Sequence, residues 1–211
     1  MHRFFFSKKA LAKVQVAVTV AIVVIAVVAG LVYYLSLSTP ATDSSPTSPT
    51  KDFEWSLLVD GFVQRPLNLT LNELIAMPRS TVYAELYCLP AVGSSGVLVD
   101  YGNWTGVRLK LLLEKAGVSP QAVKVAFYAE DGFTTDLTVT TAMREEIVLA
   151  YEKDGKPVPE KLRLAVPSMW GYKWIKRLIR IEVVDYDFKG QYESRGFPDN
   201  AEIPERHFSD V

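Results

Sequence analysis

The residue type most able to do chemistry here is the chain's only cysteine, Cys88. It follows residues 81–87, a run that reads as a strand, and leads into a loop rich in Gly and Ser. Three roles are open to a lone thiol at such a junction: soft metal ligand, nucleophile, or small buried apolar residue. One cysteine excludes an internal disulfide and any Cys-rich zinc or iron–sulfur site. It also argues against thiol redox chemistry, since no second thiol resolves a disulfide. The two histidines, His2 and His207, stand near the chain ends, which argues against a His-built metal site or a Ser-His-Asp triad in the core. Enzyme chemistry would therefore fall to a cofactor. Three cations also stand out. Arg163 interrupts the apolar run Leu162, Leu164, Val166, and a cation inside a strand wants a partner. Lys173 and Lys176 lie in the aromatic and basic stretch 170–178, where they either snorkel from a half-buried strand or bind an anion.

The chain is near the globular average, 49% hydrophobic and 22% charged, with a net charge of -1. No global electrostatic bias favours nucleic acid, and no such partner is expected. Residues 1–13 are basic, with Arg3, Lys8, Lys9 and Lys13 and no acid. Residues 14–37 run 24 positions without a charge, enough at about 1.5 Å per residue to span a hydrocarbon core of about 30 Å. The flanking cations predict a single-pass anchor at the cell membrane, with the rest of the chain outside the cytoplasm. A cleaved signal peptide is the rival, but its apolar region would be shorter and no clear cleavage site follows. Residues 38–52, rich in Ser, Thr and Pro, read as an extended linker. Residues 53–211 form the folded domain.

In that domain the pattern predicts short strands interleaved with a few short helices, an α+β fold. Residues 55–59 read as a strand closing at Asp60-Gly61. Thr70 with Glu73 predicts a capping box on a helix ending before Pro78. Residues 93–102 read as a loop, and Trp104-Thr105-Gly106 as the opening of an amphipathic helix. That helix places Leu109, Leu112, Leu113 and Ala116 on one face and stops at Gly117. Residues 123–128, 133–139, 147–151, 162–166 and 179–185 read as strands, with Thr140 or Thr141 capping a short helix and Asp154-Gly155 making a hairpin turn. Trp104 is expected in the core. Trp170 and Tyr172 flank the cationic stretch as wall candidates, and Tyr192 and Arg195 are candidates to close over it.

The order of these motifs resembles the molybdopterin-binding oxidoreductase domain of the sulfite oxidase family. The resemblance rests on Cys88, Trp104 to Leu109, Asp131 to Thr135, Leu149 to Glu152, Asp154 to Pro159, Leu162 to Pro167 and Gly171 to Lys176. It is strongest to the short branch of periplasmic methionine sulfoxide reductase catalytic subunits, and it covers residues 55–197. The resemblance implies a mixed fold of strands and short helices, and a cofactor of molybdenum held by a pyranopterin dithiolene. It implies Cys88 as the metal ligand, where a soft thiolate suits a metal already bound to sulfur. It implies Arg163, Lys173 and Lys176 around the pterin phosphate, and Trp174 and Ile175 as backbone contacts. The backbone at 129–131 falls where relatives make a further pterin contact.

Two departures bear on the substrate. Leu89-Pro90-Ala91-Val92 follows the cysteine where relatives place polar residues, and the arginines that would gather a sulfite dianion are few. The expected reaction is therefore two-electron oxygen-atom transfer with an uncharged oxo-substrate, a sulfoxide, small or protein-bound. No haem motif is present, so electrons would come from a membrane haem protein or a quinol-linked subunit. Sulfite oxidation is one rival. The other is a non-catalytic anchored binding module on the same scaffold.

Overall fold

The computed structural model describes residues 24–32 and 55–204. The basic segment 1–13, the linker 38–52 and both ends of the expected anchor lie outside the described residues. Residues 24–32 form helix α1, whose Val24, Ile25, Val27, Val28, Leu31 and Val32 are all more than half exposed. Among the described residues no helix is long and apolar enough to cross a membrane.

Residues 55–204 build two five-stranded sheets. The first contains β1 (Ser56–Gly61), β2 (Leu67–Thr70), β5 (Lys124–Ala129), β6 (Thr134–Thr138) and β10 (Leu178–Val184), in the order β2-β1-β10-β5-β6. Only the β1–β10 pair is parallel. The second contains β3 (Arg79–Cys88), β4 (Val97–Arg108), β7 (Val148–Lys153), β8 (Lys156–Pro157) and β9 (Arg163–Ala165), in the order β3-β4-β7-β8 with β9 also paired to β7. Helices α2 (Leu71–Ile75), α3 (Leu109–Ala116) and α4 (Val139–Ala142) are short connections. One core joins both sheets and α3, with Leu57, Trp104, Leu112, Phe127, Leu149 and Ile181 all at or below 1% exposure. Burial on this scale, at about 25 cal/mol per Å² of apolar surface, is what holds the sheets.

Local chemistry explains most elements. Thr70 accepts from the Glu73 amide while Glu73 reaches back to the Thr70 amide, closing the capping box. Gly117 ends α3 in the left-handed region at φ 73°. Asp154 and Gly155, both at positive φ, make the two-residue β7–β8 turn. Three expectations are corrected. Residues 97–102 are strand, not loop, because Val97 to Tyr101 alternate across β4 against β3. Trp104-Thr105-Gly106 belongs to the same strand, and helix begins only at Leu109. Gly106 shows why: a Cβ there would stand 1.8 Å from the Leu149 carbonyl oxygen, so the residue fits a close strand crossing. The α4 cap is Thr138, whose hydroxyl accepts from the Thr141 amide.

Candidate cofactor and substrate site

Cys88 is the last residue of β3 and is exposed. A register shift against β4 lies just before it, between Leu86 and Tyr87. Such a bulge re-aims a strand end. Leu86 turns into the main core and Tyr87 into a second cluster with Leu89, Trp170 and Tyr172. Cys88 is left at the surface between them. The 3-10 turn Gly171–Lys173 packs on this strand end. A Cβ at Gly171 would lie 3.0 Å from the Tyr87 carbonyl oxygen, so the turn comes close to the backbone beside the thiol.

The chain after this turn runs back along β9. Arg163 and Lys176 face each other in an antiparallel bridge, and the Leu164 amide donates to the Ile175 carbonyl at 2.9 Å. Three adjoining hollows result. A cavity of about 370 Å³ is walled by Cys88, Leu89, Phe133, Tyr172, Trp174 and Tyr192, with Lys176 and Asp131 as its charged lining. A second, also about 370 Å³, runs from Cys88 past Asp100 and Trp174 to Arg163 and Lys176. A third, of about 230 Å³, continues from Arg163 to Lys153, Lys156 and Pro159. Cys88 thus stands where an aromatic chamber meets a groove whose far end carries Lys153, Lys156, Arg163 and Lys176 against the carboxylates of Asp100 and Glu160.

Arg163 is buried, and burial pushes its guanidinium pKa down, with Glu160 and Asp100 opposing. Its Nε lies 3.5 Å from a Glu160 carboxylate oxygen yet has no hydrogen-bond partner. An unpartnered buried donor costs about 1–3 kcal/mol, a cost that an anion in the groove would remove. Trp104 holds the guanidinium at 5.2 Å from its ring centroid and packs edge-on to Trp174 at 5.5 Å. Lys153 stands 5.3 Å from the same ring and is ion-paired with Asp100.

Lys173 is placed differently. It is fully buried, and its Nζ lies 2.6 Å from Glu193 Oε1 and donates to the Asp136 carbonyl at 2.9 Å. Its side chain lines none of the three hollows. Beside it, Lys124 binds Asp136 at 2.9 Å, Asp187 at 2.7 Å and Asp199 at 2.8 Å. This network ties the C-terminal segment to β5, β6 and the 3-10 turn. Of the residues expected at the site, the structure brings Cys88, Arg163, Trp174 and Lys176 to one groove, places Ile175 in the adjoining chamber, and turns Lys173 away. Sequence reading kept Trp104 as core only, and it missed Asp100, Lys153, Lys156 and Phe133. Of these, Lys153 and Lys156 flank the hairpin turn Asp154-Gly155, whose recognition was the one available signal.

The same network makes an acid-stability prediction. Burial pushes the Asp199 carboxyl up, but hydrogen bonds from Lys124 and Lys189 outweigh it and take the group from 3.8 to about 2. A carboxyl depressed in the folded state stabilises fully above its unfolded pKa and loses that contribution as pH falls through the folded value. Asp199→Asn is expected to flatten the drop in Tm between about pH 4 and about pH 2. Thermal melts of both proteins across that range check this, and parallel slopes would contradict it.

A β-rich domain with one thiol at the head of an aromatic chamber and a cation-ended groove is the kind that cradles a long anionic cofactor at a sulfur ligand. The model of the oxidoreductase molybdopterin binding domain matches residues 44–192. The chain belongs to this family of molybdopterin-dependent oxidoreductases, the sulfite oxidase family. It is 32% identical over 148 residues to the uncharacterized oxidoreductase YuiH of Bacillus subtilis, covering 68% of this chain and 72% of that one. It is 27% identical over 169 residues to the protein-methionine-sulfoxide reductase catalytic subunit MsrP of Gluconobacter oxydans, covering 70% of this chain and 52% of that one. It thus spans about half the length of that relative. The sulfane dehydrogenase SoxCD from Paracoccus pantotrophus shares the fold, with a TM-score of 0.56 and 24% identity over 63% of this chain and 38% of that one. The family implies a molybdenum–pterin cofactor, and the orphaned Arg163 donor with the groove leading to Cys88 fits such a group.

Proposed function

We propose that this chain is a membrane-anchored, extracytoplasmic oxidoreductase that reduces sulfoxides. The observation that carries the reading is the division of the site at Cys88. On one side lies a groove ending in Arg163, Lys153 and Lys156. On the other lies a chamber walled by Leu89, Phe133, Tyr172 and Tyr192, with Lys176 its one lining cation among the described residues. Cys88 would supply the thiolate ligand to molybdenum. Arg163 and Lys176 would hold the cofactor's phosphate, and the backbone at Trp174 and Ile175 would contact the pterin. Lys173 keeps the turn in place from behind. When bound, the cofactor supplies two-electron oxygen-atom transfer: a sulfoxide, two electrons and two protons give a thioether and water.

The aromatic chamber selects the substrate by desolvation. A sulfite dianion would exchange water for one ammonium and apolar walls, and Asp131 would repel it. An uncharged sulfoxide gives up far less hydration than a dianion, and its organic groups gain contact with the rings. The Gluconobacter relative is named a catalytic subunit of a protein-methionine-sulfoxide reductase, which supports oxidised methionine as the substrate class. It also supports an electron-donating partner, a membrane haem protein or quinol-linked subunit. The apolar run 14–37 with its basic flank supports the anchor.

Cofactor-loaded full chain should oxidise a reduced viologen on addition of methyl p-tolyl sulfoxide. Its kcat/KM for that substrate should exceed the value for sulfite, assayed with ferricyanide, by more than about tenfold. A preference for sulfite would overturn the reading in favour of a sulfite-oxidising enzyme. Loss of both activities in loaded protein would favour a binding module.

A further inference from the structure

The chamber that holds Cys88 takes one wall residue, Tyr192, from the C-terminal segment 187–198, which crosses the domain as a strap. Its position is set by contacts on either side of one aromatic residue. Before Tyr192, the Gln191 amide donates to the Thr134 carbonyl at 2.9 Å and the Gly190 amide donates to Asp136 Oδ2 at 3.2 Å. The strap is pressed onto β6 there: a Cβ on Gly190 would stand 2.4 Å from the Thr135 Cα. After Tyr192, Glu193 plunges into the interior, 2.6 Å from Lys173 Nζ and accepting from Thr135 Oγ1 at 2.7 Å. Farther on, the Tyr172 hydroxyl donates to the Pro198 carbonyl at 2.5 Å. A buried ion pair costs desolvation and contributes little net stability. What this one does is fix geometry, because Lys173 closes the turn that carries Tyr172 and Glu193 follows Tyr192 directly.

The result is a preorganised aromatic wall. Tyr192 stacks on Tyr172 at 5.7 Å with 17° between the rings, and meets Phe133 edge-on at 5.9 Å and Phe197 at 4.9 Å. Tyr172 and Phe133 are themselves anchored, one on the turn and one at the head of β6. Tyr192 is only half-buried and lines the chamber, so its remaining ring surface is open to a ligand.

We propose that Tyr192, held by the strap, is the specificity-determining residue of the chamber, binding the organic substituent of thioether-type sulfoxides. The inference rests on the sulfoxide reading above and names the residue that sets substrate size. A substrate with a large apolar or aromatic substituent offers the Tyr192 ring a surface to pack on, and a dimethyl substrate offers far less. Removing the ring therefore weakens binding of the large substrate more than that of the small one.

The test uses cofactor-loaded full chain, with Tyr192→Ala, Tyr192→Leu and Tyr192→Phe. Dimethyl sulfoxide and methyl p-tolyl sulfoxide are the substrates, and binding of the product methyl p-tolyl sulfide is read by quenching of tryptophan fluorescence. Tyr192→Ala should raise KM for the aryl sulfoxide and Kd for the sulfide by about tenfold. The rise in KM for the aryl sulfoxide should exceed any rise for dimethyl sulfoxide by at least about fivefold. Tyr192→Leu should give a smaller change in the same direction, and it stands in if the alanine variant does not fold. Tyr192→Phe, which keeps the ring, should match wild type on every readout. Equal effects on the two substrates, or no effect on the aryl one, would overturn the proposal while leaving sulfoxide reduction standing. If wild type binds the sulfide yet reduces neither sulfoxide, the reaction reading fails, and the Kd series alone decides the role of Tyr192.

Discussion

Cys88→Ala is expected to abolish turnover while leaving the domain folded. The thiol is exposed at a strand end and packs in neither hydrophobic cluster, and surface substitutions of this sort change stability by less than about 0.5 kcal/mol. Its loss removes the one protein sulfur available to a metal in this groove. Changes one shell farther from a metal already cost about 10–100-fold, so loss of the ligand itself should cost more than about a hundredfold in kcat/KM. Molybdenum content should fall, whereas pterin should fall less, because Arg163 and Lys176 remain. Metal analysis, pterin fluorescence and a thermal melt on the same preparation separate these outcomes. Full metal content with undiminished sulfoxide reduction in the variant would remove Cys88 from the site.

Arg163→Met and Lys173→Met should separate stability from cofactor content, although both replace a buried cation. Lys173 is fully paired: Glu193, Asp136 and their neighbours surround its Nζ. Deleting it strands buried carboxylates, and breaking a buried pair from one side costs about 3–5 kcal/mol. Arg163 instead carries a buried Nε with no hydrogen-bond partner. Its carboxylate neighbour Glu160 is 3.5 Å away and not hydrogen-bonded to it, so replacing Arg163 in cofactor-free protein should cost less than replacing Lys173. The same change removes the donor nearest the far end of the groove, so pterin content of Arg163→Met should fall by more than about tenfold. Urea unfolding of the cofactor-free proteins, with pterin content measured after expression, distinguishes the two. A destabilised Arg163→Met with normal pterin would make Arg163 structural.

That contrast marks the limit of what the sequence made legible. Elements fixed by local chemistry were readable: the Thr70–Glu73 box, the Gly117 stop and the Asp154-Gly155 turn each follow from neighbouring residues. The start of β4 was not. Its Gly-Ser-rich approach masks the alternation of Val97 to Tyr101, and its pairing partner β3 is remote. Trp104 to Gly106 was read as helix because Leu109 onward has helical periodicity, while the close approach to Leu149 that makes Gly106 strand is a tertiary fact. In the site, Cys88, Arg163 and Lys176 stood out by residue type. The direction of Lys173 did not, because it is decided by Asp136 and Glu193, 37 and 20 positions away. Phe133 stands in the sequence only as part of a strand and of the Asp131 to Thr135 motif, and Tyr192 only as a candidate to close over the site, for the same reason. They meet through a strap whose course is set by buried ion pairs, and no local period records those.

The central claim is that the groove between Cys88 and Arg163 holds a molybdenum–pterin group. Molybdenum and pterin content of the full chain, purified from a host that makes the cofactor, tests it most directly. The account predicts about one molybdenum and one pterin per chain, both released together on unfolding. Folded protein carrying neither would contradict it.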